Sequence, residues 1–236
     1  MLHFDVISNI DPARCASWEG KQFLTFDIDW AHDAVLSDTI DLVTDAGVPA
    51  TWFVTHATPL LARLRANPLF ELGVHPNFNP LLAGAGMAGK DAAEILAQIC
   101  CVVPEARAVR SHSLVMSERL VDVFRDAGLR RVCNSFIPAE SAAACAPWKL
   151  WDDMIVIPHC WQDNVAMRLH GTVRPPLPGH GLRVFDFHPI HVYLNTPDIA
   201  VYEAARPCFQ EPETLVRHRV MQRRGTRDIL RQILEG

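Results

Sequence analysis

Three pairs of polar residues repeat one spacing in this chain of 236 residues. Asp27 and Asp29 end the run QFLTFDID, Arg110 and His112 end ARAVRSH, and Asp186 and His188 end VFDFH. His75 closes a fourth run, FELGVH. Each run is rich in aliphatic, β-branched or aromatic residues and reads as a strand. Residues two apart in a strand point to the same side. If these strands are parallel staves of an α/β barrel, their C-terminal ends meet at one rim. Three carboxylates, a guanidinium and three imidazoles then converge. A buried carboxylate is costly unless it is paired or binds a cation, and imidazole both ligates metals and moves protons near neutral pH. Singly, each residue has a plainer role: a helix cap for Asp27 or Asp29, a loop hydrogen bond for His75, an ion pair for Arg110, a core position for His188. Set on successive strand ends, they read better as one functional site.

The elements that must carry these residues alternate. Strands are expected at 22–29, 49–56, 70–75 and 106–112, then at 130–136, 150–157 and 182–188. Helical spacing from Asp33 to Ala46 puts Leu36, Ile40 and Val43 on one face, and Gly47 suits its end. A short helix follows Pro59. Asp91 opens a helix through Val103, and Ser117 caps one carrying Leu120, Val121 and Phe124 that Gly128 ends. Asp-Ala-Gly recurs after two of these helices, at 45–47 and 126–128. Such alternation with short connections implies α/β units and a mainly parallel sheet. The stretches 76–89 and 171–181 carry too much Pro and Gly for anything but loops. A helix is expected near 212–234. The expectation is a single barrel-like α/β domain over 1–236, with its core at about 22–191.

Composition excludes several classes. With 49% hydrophobic and 21% charged residues, the chain is not disordered. No run of about 18 apolar residues predicts a membrane span. The start MLHFDVISNI lacks a signal-peptide pattern. Seven cysteines without a C-x-x-C pair make neither a disulfide framework nor a zinc ribbon, so reduced thiols and a cytoplasmic setting are expected. There is no G-x-S-x-G elbow, no G-x-G-x-x-G and no P-loop. A net charge of −5 with one Arg-rich stretch, Arg217 to Arg231, argues against nucleic acid, and that stretch reads as a solvated helix face.

In these residues the chain resembles the polysaccharide deacetylases, the NodB-homology or carbohydrate esterase four family. Thr25-Phe26-Asp27-Ile28-Asp29-Trp30 is similar to the family's T-F-D-D-G motif, with one residue inserted between the carboxylates. That spacing resembles a divergent branch reading F-D-V-D, linked to surface polysaccharide and O-antigen synthesis. His75-Pro76-Asn77-Phe78-Asn79 stands for the metal-binding H-S/T-x-x-H motif, with Asn79 in place of its second His. Arg110-Ser111-His112-Ser113 matches R-x-P-Y in its Arg alone. Either Trp151-Asp152-Asp153 or Trp161-Gln162-Asp163 corresponds to the fourth motif. Phe185-Asp186-Phe187-His188-Pro189 corresponds to the last, with His191 as a second candidate.

The resemblance implies a distorted (β/α)7-type barrel and a hydrolase removing an N- or O-acyl group, acetyl or formyl, from a carbohydrate or sugar nucleotide. It implies a divalent metal, zinc first, held by Asp29, His75 and either Asn79 or His112. Asp27 would be the base, Arg110 its anchor and His188 the acid, with Asp186 a candidate to orient His188. Trp30, Asn77, Trp161 and Asp163 are candidate substrate contacts, since Trp faces stack on sugars. Trp52 reads as core. An allantoinase-like hydrolase of a small amide and a non-catalytic carbohydrate-binding relative are the alternatives.

Overall fold

The computed structural model describes residues 3–83, 91–141, 143–177 and 181–235. Among them ten short strands form one sheet. They are β1 (His3–Phe4), β2 (Lys21–Asp27), β3 (Ala50–Val54), β4 (Phe70–Val74), β5 (Ala108–Val109), β6 (Arg131–Val132), β7 (Trp148–Lys149), β8 (Ile155–Val156), β9 (Trp161–Gln162) and β10 (Arg183–Phe187). The helices are α1 (Asp33–Ala46), α2 (Leu60–Ala66), α3 (Asn79–Leu82), α4 (Ala92–Val102), α5 (Glu118–Asp126), α6 (Asp163–His170), α7 (Pro189–Leu194), α8 (Ile199–Ala205), α9 (Pro212–Leu215) and α10 (Thr226–Glu235).

The sheet runs β7-β8-β6-β5-β4-β3-β2-β10-β9, with β1 beside β2. Every pairing is parallel except that of β7 with β8. The segment 155–162 closes the curl: β8 pairs with β6, His159 bridges to Phe136, and β9 pairs with β10. With that segment counted as one stave, the barrel-like α/β fold has seven.

Strand alternation divides the core. Leu24 and Phe26 of β2, with Trp52 and Val54 of β3, face the helices and meet the Leu36–Ile40–Val43 stripe of α1. Trp52 is fully buried and stacks on Phe26 with ring centroids 4.3 Å apart, a core residue as expected. The other face fills the interior. Phe23, Phe53, Ala108, Cys133, Ile157 and Val184 come from successive staves and are joined by Ile7, Ile10 and Trp18 of the N-terminal stretch. This interior floor is apolar. One step further along the same strand faces come Thr25, Asp27, Arg110 and Asp186.

Helix ends follow the local chemistry. The His32 ring accepts from the N–H of Ala34 at the start of α1, and Gly47 ends it at φ +63°. Asp91 and Glu94 form a reciprocal capping box on α4, and the Ser117 hydroxyl caps α5.

Three expectations are corrected. The strand over 106–112 shrinks to two residues, because the chain turns at Arg110 into a 3-10 turn, His112–Leu114. The loop over 76–89 contains α3, with Pro80 in its first turn; residues 84–89 of this stretch lie outside the described residues, as do 178–180 of the loop over 171–181. The helix near 212–234 is broken into α9, a 3-10 turn (Val216–His218) and α10. The break lies where the chain passes against the end of α7: a Cβ at Gly225 would stand 1.9 Å from the Asn195 carbonyl oxygen. Asn195 Oδ1 accepts there from the N–H of Arg227 at 3.0 Å. The Arg-rich stretch is not simply solvated. Arg219 and Arg227 both pair with Asp38 of α1 and tie the C-terminal region to the barrel. No helix among the described residues is long and apolar enough to cross a membrane.

Candidate active site

The polar residues stand in two layers. The inner layer sits on strand ends. Arg110, just past β5, is fully buried, and its Nη1 donates to Thr25 Oγ1 and Asp27 Oδ1, both at 2.9 Å, and to Asp186 Oδ1. Its Nε donates to the Cys133 carbonyl at 3.2 Å. Its guanidinium lies 4.4 Å over the Phe53 ring. Gly73 makes that seat possible, since a Cβ there would meet the ring at 2.7 Å.

One cation therefore serves two buried carboxylates, and the two respond differently. Burial works against charge on Asp27, yet Arg110 first and His75 second hold its carboxyl below the usual range. At Asp186 burial prevails and pushes the carboxyl up to about 8. Asp186 Oδ2 is buried with no hydrogen-bond partner among the described residues, as a protonated or half-satisfied carboxyl would be.

The outer layer stands on turns. The backbone leaves β2 at Asp27 and enters the left-handed region at Asp29 (φ +39°) and Trp30 (φ +53°). Ser113 and Leu114 do the same at +58° and +56°, directly after His112. Such strain in non-glycine residues persists only where surroundings over-determine it, and it clusters at functional sites. Here it brings Asp29 Oδ1 to 3.2 Å from His75 Nε2 and 3.1 Å from His112 Nδ1. The two imidazole nitrogens are 3.3 Å apart.

These three atoms fit a divalent cation. One carboxylate oxygen and two imidazole nitrogens from three different elements face a common point, a borderline donor set for a first-row transition ion. The other nitrogen of His75, Nδ1, has no hydrogen-bond partner and lies 3.7 Å from Asp27 Oδ1. His112 and His75 together hold the Asp29 carboxyl well below its usual range despite burial.

His188 completes the outer layer as the residue that precedes α7. Its Nε2 lies 3.6 Å from Asp29 Oδ2, on the opposite side from the two imidazoles' shared oxygen. Asp163, the fully buried first residue of α6, grips it twice: Oδ1 takes Nδ1 at 2.7 Å and Oδ2 takes the backbone N–H at 2.8 Å. Burial alone would discharge His188, but Asp163 raises its pKa well above the ordinary imidazole value. Nearby His191 has no such carboxylate bond, and burial takes it down to about 4.

Several expected roles change. Asp186 does not orient His188; it serves Arg110, and Asp163 is the orienting carboxylate. Asp163 is therefore no direct substrate contact, and of the two fourth-motif candidates it is the one at the site. Asp152 lies at the surface, paired with Arg125. Trp161 is buried; its Nε1 donates to the Arg174 carbonyl at 2.8 Å, its ring packs on Phe187, and it lines a separate cavity rather than those at the outer layer. Asn77 Oδ1 accepts from the backbone N–H of Asn79, a local turn bond. The Asn79 side chain donates to Ser113 Oγ at 2.9 Å, beside the turn that carries His112. Trp30 is 41% exposed at the mouth, edge-on to His112.

Two connected cavities open onto the outer layer. One of about 340 Å³ is walled by Trp30, Tyr202 and Phe209, and one of about 370 Å³ reaches down to Asp27 and His75. Both include Asn164, Arg168 and Tyr202. Sequence reading missed these three, although Asn164 and Arg168 directly follow Asp163 at helical i, i+4 spacing.

Comparison with known proteins fits this site. The model of the WbmS-like polysaccharide deacetylase family matches residues 24–206. A crystal structure from Bordetella bronchiseptica, of a protein described as a polysaccharide deacetylase involved in O-antigen biosynthesis, aligns with a TM-score of 0.93 and 45% identity, over 98% of this chain and 97% of that one. The 4-alpha-glucanotransferase of Thermococcus litoralis aligns with a TM-score of 0.47 and 14% identity over 38% of its own chain, too slight a likeness to carry an argument. Comparison with curated protein sequences gave no match. The chain belongs to the WbmS-like polysaccharide deacetylase family.

Proposed function

We propose that the protein is a metal-dependent hydrolase that removes an N- or O-linked acyl group, acetyl or formyl, from a carbohydrate or sugar nucleotide. One observation carries the reading: Asp27, paired with Arg110, and His188, gripped by Asp163, both border the donor set of Asp29, His75 and His112. Asp29, His75 and His112 hold the ion, zinc first by their donor chemistry. With a divalent ion held by these residues, the site would gain a Lewis acid able to lower the pKa of water and polarise an acyl carbonyl. Asp27 accepts the proton of the attacking water, and Arg110 keeps it ionised to do so. His188 donates a proton to the leaving nitrogen or oxygen, fixed in position and charge by Asp163. The Trp30 face frames the sugar at the mouth.

The test is release of acetate or formate from a panel of acylated sugars, sugar nucleotides and small amides. Release from sugars is expected, lost on chelation and restored by zinc. Release that survives complete metal removal, or that occurs from small amides alone, overturns the reading.

A further inference from the structure

Arg168 is the one lysine or arginine among the described residues lining the two connected cavities. It makes no hydrogen bond or ion pair with any described residue, and its side chain is exposed. Other arginines of the molecule behave otherwise: Arg110, Arg219 and Arg227 all end on carboxylates. Asn164 lies one turn earlier on α6, lines both cavities as well, and leaves its amide oxygen buried without a partner. An amide and a guanidinium four residues apart share one helix face. That face starts from Asp163, which fixes His188, so the distance from the reacting centre to Arg168 is set by a single rigid element.

We infer that Arg168 reads a negatively charged group on the substrate, so that the preferred acyl sugar is anionic. This rests on the deacetylase reading of the same site. The charge of the other groups supports it. Arg110 is buried and paired with Asp27 and Asp186, and His188 is paired with Asp163. Away from the proposed metal ligands, an anion in the cavity therefore finds Arg168 as its unpaired cationic side chain. A guanidinium matches a carboxylate or a phosphate with two parallel hydrogen bonds. The anionic group is thus either a uronate carboxylate or a sugar-linked phosphate, the same recognition chemistry from two sources.

The experiment compares a neutral N-acetylhexosamine, an N-acetylhexosaminuronate and an N-acetylhexosamine 1-phosphate. The metal-loaded full chain is assayed for acetate release, and binding of the same three sugars is measured by calorimetry. One or both anionic sugars should exceed the neutral one by about tenfold to a hundredfold in kcat/KM, mainly through KM. R168Q should erase that ratio, R168K should keep part of it, and R168E should reverse it. Which anionic sugar responds separates carboxylate from phosphate recognition. Equal rates on charged and neutral sugars, or a ratio unmoved in R168Q, overturns the inference while leaving the deacetylase reading intact. If no sugar releases acetate, that reading falls, and calorimetry alone decides: tighter anionic binding that R168Q abolishes supports Arg168 as the anion reader, and its absence overturns it.

Discussion

The inner and outer layers of the site are built from similar residue types and are used in opposite ways. In the inner layer, Asp27, Arg110 and Asp186 sit on or beside strand ends, nearly or fully buried, with both carboxylates paired to the one guanidinium. In the outer layer, Asp29, His75, His112 and His188 rise from turns and loops, and their polar atoms point at a shared centre. Strands lie deeper and fix charge state; turns give the freedom of angle that converging ligands need. The contrast also appears within the inner layer. Asp27 has His75 beside it as well as Arg110 and is held below the usual range, whereas Asp186, with Arg110 and the Thr25 hydroxyl as partners, is lifted by burial to about 8. Height in the barrel, not residue type, separates a carboxylate available for proton transfer from one that only holds an arginine.

The sharpest break of this comparison is between ligand and base. Asp29→Ala, His75→Ala or His112→Ala removes one of three donors, so the bound ion and all measurable acyl release should be lost together. Asp27→Asn should keep the ion, by elemental analysis, while acyl release falls about 10²–10⁴-fold. An Asp27→Asn protein with full activity would remove the inner layer from catalysis. Next comes Arg110→Met. Taking the shared cation away leaves two buried carboxylates uncompensated, and such a loss costs about 3–5 kcal/mol. Denaturant unfolding should register it, whereas loss of an outer-layer ligand in the metal-free protein should cost far less.

The sequence made the inner layer legible and the outer layer only half so. Period-two spacing within hydrophobic runs located Asp27, Arg110 and Asp186, because strand geometry determines where such residues point. The second member of each pair was found by extending that rule past the strand end, where it no longer applies. Asp29, His112 and His188 converge through turns, and left-handed φ values at Asp29, Trp30 and Ser113 carry no signature in side-chain type. Asp163 was named as a residue yet misplaced in role, since nothing local tells a sequence that the start of α6 will meet residue 188. The helix α1 was readable to the residue because both its caps and its apolar stripe are local. The C-terminal helix was not, because its break depends on a contact between Gly225 and Asn195, thirty positions apart.

A finer test separates the two inner carboxylates by pH. Asp186 is raised above its unfolded value of 3.8, so the folded state binds more protons there, and its contribution to stability falls as pH climbs from about 4 to about 8. Asp27 is lowered, so its contribution is present above 3.8 and is lost as pH falls through its folded value. Asp186→Asn retains an oxygen for Arg110 but cannot ionise. It should flatten the decline in melting temperature between pH 4 and 8 and leave the acid-side decline unchanged. If the neutral-side slope persists in Asp186→Asn, the two carboxylates are not differently charged.

The smallest effect is expected where the family pattern is most visibly broken. Asn79 stands where the related motif has its second metal-binding His, yet its amide nitrogen donates to Ser113 Oγ. Ser113 opens the left-handed pair that follows His112, so the bond steadies the turn that aims an imidazole at Asp29. Asn79 thus serves as a brace in this structure. Removing a brace of one neutral hydrogen bond, on a residue partly open to solvent, costs about 0.5–1.5 kcal/mol. Asn79→Ala should therefore keep its metal content and lose less than about tenfold in acyl release. A chelator titration makes the distinction quantitative: the variant's metal affinity should stay within a few-fold of the parent's. A collapse of affinity equal to that of His112→Ala would make Asn79 a ligand and return the site to the family's usual arrangement.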